Sequence, residues 1–149
     1  MAVLESPPQD RRVRRYAGQN VLASIPLLAF VVIAYAAFAI GGADFAAERF
    51  SITMPSGAIW AISLGDLLLA GALFVLFFEI LKSTRTGGNS VVDHALSMIV
   101  FMVCLILFLV WQPAASSLFF LITLISLVDV MAGFSVTIRA ARRDYTVGE

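Results

Sequence analysis

The chain has 149 residues, of which 60% are hydrophobic and 13% are charged, and its ten basic residues balance its ten acidic ones. Water-soluble domains usually have about a quarter of their residues charged, so this composition excludes an ordinary soluble domain. The sequence also contains no nucleic-acid-binding module. We therefore expect an all-α integral membrane protein whose main partner is the lipid bilayer.

The N-terminal tail, residues 1–23, carries four arginines ahead of the first apolar block. A positive stretch before an apolar one is also how a cleaved signal peptide begins. This apolar block is longer than a signal sequence usually has, however, and three more blocks follow it. We predict a retained first span at 24–41, with Pro26 in its first turn, where a missing N–H costs little.

Three further apolar blocks approach the roughly 20 residues that a spanning helix needs. A mixed-charge outside loop precedes the second span, and only short turns separate the later ones. Short connections force neighbouring spans to be antiparallel, which predicts an up-down bundle of four transmembrane helices within residues 24–138. The chain would end in a basic tail, residues 139–149. The predicted second, third and fourth spans are residues 57–81, 93–111 and 116–138.

The distribution of basic residues predicts the orientation. Nine of the ten lie on one side of this threading, Arg49 being the exception, and the positive-inside rule makes that side cytoplasmic. Both termini would then be cytoplasmic, with Trp60 and Trp111 near the outer interface. The tail arginines are interpreted as topology signals and as contacts for anionic lipids. They are Arg11, Arg12, Arg14, Arg15, Arg139, Arg142 and Arg143.

Two aspartates, Asp66 and Asp129, fall near the middle of their predicted spans. An aspartate at a helix centre costs roughly 2.5–3.5 kcal/mol on insertion scales, so each needs a compensating environment. Their similar depth would let the two carboxyl groups meet across a helix interface. Small and hydroxylated residues favour an inward direction for both. These residues are Ser63 and Ala70 on span two, Thr123 and Ser126 on span four, and Tyr35 at comparable depth on span one.

Three interpretations of the two aspartates remain open. The first is structural, with both carboxyl groups protonated and hydrogen-bonded to hydroxyl groups. The second is a proton relay or an ion site. The third is an ion pair with a basic residue of another subunit, since no basic residue of this chain is predicted at that depth.

Four polar residues, Glu79, Lys82, Asp93 and His94, are predicted at the inner membrane surface. Glu79 and Lys82 have the i,i+3 spacing of a helical ion pair and can extend toward the interface. "SVVD" at 90–93 matches a capping box with Asp93 in the acidic position. His94 is the only histidine, so one chain cannot form a two-histidine haem site, although a homodimer could. We expect it to be solvated at the interface.

The sequence contains no catalytic, metal or cofactor motif. Its one cysteine, Cys104, lies within a span, and neither CxxC nor HExxH nor a serine–histidine–acid set is present. We therefore predict a non-enzymatic accessory or assembly subunit that associates with itself or with a membrane partner through polar faces of spans two and four. The alternative is a small proton-coupled transporter or channel using Asp66 and Asp129, although the spans lack the Gly/Pro interruptions of many transporters.

Three segments resemble small four-span inner-membrane proteins of bacteria that carry no assigned activity: "MPSGAIWAISLGDLLLAGALFVLFFEILKSTRTG", "SVVDHALSMIVF" and "VDVMAGFSVTIRAARRDY". The resemblance covers roughly residues 54–145. It implies a location in the bacterial inner membrane. It implies no substrate, cofactor or catalytic residue.

Overall fold

The computed structural model describes residues 25–83 and 90–144. In this numbering the elements, in chain order, are α1 (Leu28–Ile40), β1 (Glu48–Thr53), β2 (Ile59–Ser63), α2 (Leu64–Ser83), α3 (Ser90–Val110), a short 3-10 turn (Gln112–Ala114) and α4 (Ser117–Asp144). The predicted lipid contacts from Arg11 to Arg15 lie outside the described residues. Arg139, Arg142 and Arg143 belong to the last turns of α4.

Three of the four described helices are long and apolar enough to cross a membrane, through Leu64–Ser83, Val92–Val110 and Ser117–Ser135. Helix α1 is shorter. Its 13 residues extend about 20 Å at 1.5 Å per residue, whereas the hydrocarbon core of a bilayer is about 30 Å thick. The predicted all-α bundle of four transmembrane helices is thus confirmed only in part, because the described residues are mostly helical with three candidate spans, and the four-span threading stays a prediction. The predicted first span is helical only from Leu28 onward among the described residues.

Helix α4 is the central helix of the bundle, and it packs along both α2 and α3. In its candidate span 39% of the residues are buried, against 17% in each of the other two spans. Small and hydroxylated residues along α4 permit this close packing. The outward faces of the bundle carry large apolar side chains such as Phe74, Ile106 and Leu109, each more than half exposed. A surface of that kind suits contact with lipid.

The segment between α1 and α2 forms a β-hairpin, where an outside loop and the start of span two were predicted. Strands β1 and β2 pair antiparallel, and Gly57 in their turn has a φ of +84°, a conformation that favours glycine. Helix α2 therefore begins at Leu64 rather than at residue 57. The sequence predicted a span from residue 57 because residues 59–62, "IWAI", are as apolar as a membrane helix. Residues of this kind also favour a strand, which is what they form. We call this end of the bundle the hairpin end.

Tyr35 anchors α1 to the connection between α3 and α4. Its buried hydroxyl donates to the carbonyl oxygen of Pro113 at 2.7 Å and lies 3.1 Å from Ser116 Oγ. Its ring stacks on Phe45 with a centroid distance of 4.6 Å, and Phe119 packs beside it. The sequence predicted that this hydroxyl lies near the mid-membrane aspartates. It contacts the α3–α4 connection instead.

Candidate functional site

Asp66 lies in the first turn of α2, where it forms a capping box with Ser63. The backbone N–H and the hydroxyl of Ser63 donate to Asp66 Oδ2 at 2.8 and 2.7 Å, and the backbone N–H of Asp66 donates to Ser63 Oγ at 3.2 Å. These contacts satisfy N–H groups that the start of a helix leaves open. Asp66 is exposed at the hairpin end. The structure therefore corrects the mid-span position predicted for Asp66 and the interior role predicted for Ser63.

Asp66 and Asp129 do not form a pair. Asp129 lines a pocket together with Glu79. Glu79 is thirteen residues beyond Asp66 on the same helix, which corresponds to about 20 Å. The predicted match in depth arose from starting span two at residue 57, which moved Asp66 into the middle of the membrane.

The small and polar stripe of α4 faces the interior of the bundle, in the direction that the sequence predicts. Thr123 Oγ1 donates to the carbonyl oxygen of Phe119 at 2.9 Å, and Ser126 Oγ donates to that of Thr123 at 2.7 Å. Because their own helix satisfies these hydroxyls, they can pack against neighbouring helices without needing a polar partner there. The buried stripe consists of Thr123, Ser126, Asp129 and Gly133.

A cluster of ionisable and polar side chains lies at the end of the bundle opposite the hairpin. It draws on α2, α3 and α4, and it surrounds a pocket with room for about one water molecule. We call it the polar cluster; its members are Glu79, Lys82, Asp93, His94, Ser97 and Asp129. Ser97 is the member that the sequence prediction missed. Its i,i+3 spacing from His94 was the available signal, because such residues share a helix face.

Glu79 and Lys82 hold the start of α1 by its backbone. Glu79 Oε2 accepts the N–H of Leu27 at 2.8 Å, and Lys82 Nζ donates to the carbonyl oxygen of Ile25 at 3.3 Å. A carboxylate at this position meets the open N–H groups and the positive end of the α1 dipole. The predicted i,i+3 ion pair is also present, with Lys82 Nζ 3.6 Å from Glu79 Oε1. Glu79 is only 5% exposed. This burial corrects the prediction that its side chain extends toward the membrane interface.

Asp129 and His94 join α4 to α3. Ser97 is hydrogen-bonded to the carboxylate of Asp129, which also interacts electrostatically with His94 and Lys82. His94 is buried, and its ring lies so close to Gly133 that a Cβ at position 133 would overlap it. This burial corrects the expectation that His94 is solvated. A glycine on α4 is what makes room for the imidazole.

Asp93 extends the polar cluster toward the start of α3. Its Oδ2 lies 4.0 Å from Lys82 Nζ, while among the described residues its buried Oδ1 has no hydrogen-bond partner. The side chain of Ser90 is outside the described part of the structure, so the capping box predicted at 90–93 stays a prediction.

The polar cluster contains more acidic than basic groups. It has three carboxylates, one ammonium group and one imidazole. The acidic groups therefore outnumber the basic ones by one. Glu79, His94 and Asp129 are buried, whereas the side chains of Lys82 and Asp93 are 25% and 24% exposed, so the cluster is open at its edge. Among the described residues, no group of three or more histidine, cysteine, aspartate or glutamate side chains could hold a metal ion.

The fold and the polar cluster define a helical protein with three candidate membrane spans. The chain matches no family model, no curated protein and no solved structure. The similarity to small four-span inner-membrane proteins of bacteria therefore stays a resemblance.

Proposed function

We propose that this chain is a non-enzymatic integral protein of the bacterial inner membrane that works as an accessory or assembly subunit. It crosses the membrane four times with both termini in the cytoplasm, and the first of the four spans is the predicted segment 24–41, which contains α1. Three long apolar helices support this threading, and so does the location of nine of ten basic residues on one side.

The association is supported by a notch of small residues on the outward face of α2. Ala70 and Gly71 are exposed, and a Cβ added at Gly71 would meet no atom within 4 Å. Phe74 and Phe77 follow on the same side of the helix and are 69% and 56% exposed. In a membrane, small residues let two helix backbones approach closely, and neighbouring large side chains then pack around the crossing. The notch is therefore a surface for another membrane helix.

The α4 face that was also predicted for association is occupied within the bundle. Its buried residues pack against α2 and α3, and the α4 side chains that the structure describes leave no polar stripe for a partner. We therefore assign the association to α2 alone.

The test replaces the notch with bulk. The double variant Ala70→Leu/Gly71→Leu should lose the associated species, because the added side chains would hold a partner helix away. In-membrane crosslinking, followed by mass measurement in a gentle detergent, reports that species. The matched control is Ala95→Leu, which makes the same kind of change at an exposed position of α3. A wild-type protein that is monomeric with no crosslinked neighbour, or a double variant that associates normally, contradicts the proposal.

A second candidate function, proton-coupled transport, is favoured by the composition of the polar cluster. Here Asp129 would work with Glu79 and His94 rather than with Asp66. Fully buried apolar side chains, among them Phe119 and Ile122, belong to the core of the bundle, so this route would require a conformational change.

Purified protein in liposomes distinguishes the two candidate functions. Transport predicts a pH-gradient-dependent flux that Asp129→Asn abolishes and that Asp66→Asn, at the exposed capping box, leaves unchanged. The absence of flux from the wild-type protein, or equal loss in both variants, excludes this mechanism.

A further inference from the structure

We propose that one face of the β-hairpin lies on the membrane surface, at the level of the lipid headgroups. This lipid-binding surface rests on the proposal that α2 crosses the membrane, and it does not depend on the association through α2.

The register of the hairpin separates its two faces. Directly opposite residues of an antiparallel pair share a face, and alternate residues along each strand do so as well. Phe50 lies opposite Ile62, and Ile52 lies opposite Trp60. Alternation adds the two residues that flank the turn. We call the resulting side the apolar face; it consists of Phe50, Ile52, Met54, Ala58, Trp60 and Ile62. The opposite face carries Ser51, Thr53, Ile59 and Ala61.

The helical bundle covers only the base of the apolar face. Ile62, next to α2, is 7% exposed. Toward the turn the side chains stay open: Phe50 and Ile52 are each 46% exposed, Trp60 is 52% exposed, and Met54 is 41% exposed. A contiguous patch of large apolar side chains in water is unfavourable, and such patches mark contacts with a protein or a membrane.

Continuity with α2 favours the membrane as the occupant. Strand β2 ends at Ser63, and the candidate span begins at the next residue, Leu64. The exposed capping box at this junction requires a polar environment, which places it at the membrane surface. The apolar face therefore starts where lipid starts. Tryptophan is enriched at this level because its ring is apolar and its N–H can still meet water.

The backbone and Arg49 set the depth of the hairpin. A two-stranded hairpin has open edges, and unpaired N–H and C=O groups are not tolerated in the hydrocarbon core. The hairpin must therefore lie at the headgroups and not below them. The register shifts between Glu48 and Phe50, so Arg49 is an extra, exposed residue at a β-bulge. There its guanidinium group can reach lipid phosphates.

Tryptophan fluorescence tests this depth. Trp111→Phe leaves Trp60 as the single tryptophan, since the chain contains two. The variant is placed in phosphatidylcholine nanodiscs, in which both membrane surfaces meet the buffer. We expect the strongest quenching by lipids brominated near the headgroup end of the acyl chain, weaker quenching by lipids brominated near the bilayer centre, and little by aqueous iodide.

A tryptophan on the opposite face is the matched control. Thr53→Trp in a Trp60→Phe/Trp111→Phe background should be quenched by iodide severalfold more than Trp60. Strong iodide quenching of Trp60 would place the apolar face in water. Shielding of Trp60 from both iodide and bromolipid would mean that protein covers it. Strongest quenching by the deep bromolipid would place it in the hydrocarbon core. Each of these three results overturns the proposal.

Cysteine labelling gives an independent measurement that keeps both tryptophans. Cys104 is fully buried, so a bulky maleimide reports only an introduced cysteine. In the same nanodiscs Ile52→Cys should react severalfold more slowly than Thr53→Cys. Equal rates would overturn the proposal.

Discussion

The carboxylate of Glu79 accepts the backbone N–H of Leu27 at 2.8 Å, so the end of α2 caps the start of α1 across 52 positions of the sequence. Lys82, one turn further along α2, holds the carbonyl oxygen of Ile25 and also lies near Asp93. The two side chains therefore connect the start of α1 to both α2 and α3.

Removing the Glu79 carboxylate should destabilise the bundle. Glu79→Ala leaves the N–H of Leu27 unpaired and removes the nearest negative charge from Lys82, so we expect a loss of about 1.5–3 kcal/mol in the free energy of unfolding. Glu79→Gln keeps an oxygen acceptor and should lose less. Unfolding titrations in mixed micelles measure both variants. Equal losses for Ala and Gln would mean that the hydrogen bond to Leu27 contributes nothing.

The contact between Gly133 and His94 predicts a strong dependence on side-chain size. Gly133→Ala places a methyl group into the imidazole, and overpacking of this kind costs typically about 1–3 kcal/mol. The loss should largely disappear in a His94→Ala background, because the ring is then absent. A double-mutant cycle on the free energy of unfolding measures this coupling.

Gly71→Ala is the control for this cycle, since its added methyl group meets open space. It should leave the free energy of unfolding unchanged or raise it slightly, because alanine favours a helix over glycine. If Gly133→Ala is as well tolerated as Gly71→Ala, His94 does not pack as described.

The capping box at the start of α2 should behave as one unit. Ser63→Ala and Asp66→Ala should each cost about 0.5–2 kcal/mol of stability, as loss of a helix cap does. The double variant should cost less than the sum, since the two residues share the same hydrogen bonds. Strictly additive losses in the same unfolding measurement would contradict this arrangement.

The hydroxyl of Tyr35 should contribute to stability independently of its ring. Tyr35→Phe keeps the stacking on Phe45 but leaves the carbonyl oxygen of Pro113 without this donor, at a cost of about 1–3 kcal/mol. Tyr35→Leu removes the stacked ring as well and should lose more stability. Thermal unfolding of the two variants separates these contributions, and an unchanged melting temperature for Tyr35→Phe would mean that the hydroxyl contributes nothing.

Local sequence patterns predict some contacts correctly and also explain one error. The i,i+3 spacing of Glu79 and Lys82 is sufficient to predict their ion pair, because both residues belong to one helix. The pattern S-x-x-D, interpreted as a capping box at 90–93, is equally present in "SLGD" at 63–66. Applied there, it would have placed Asp66 at the start of a helix. Hydropathy obscured that signal, since the strand before it is as apolar as a span.

The amino-acid sequence by itself determined that the chain is mostly helical with candidate membrane spans. It also determined that the small and polar stripe of α4 faces the interior of the bundle. Both follow from apolar content and helical periodicity, which are properties of consecutive residues. Only the tertiary structure decided the environments of Asp66 and Asp129, one in an exposed helix cap and the other in the polar cluster. The physical reason is that the contacts of Glu79 with Leu27, of Lys82 with Asp93 and of Asp129 with Ser97 join residues of different helices, and helix packing alone brings those residues together.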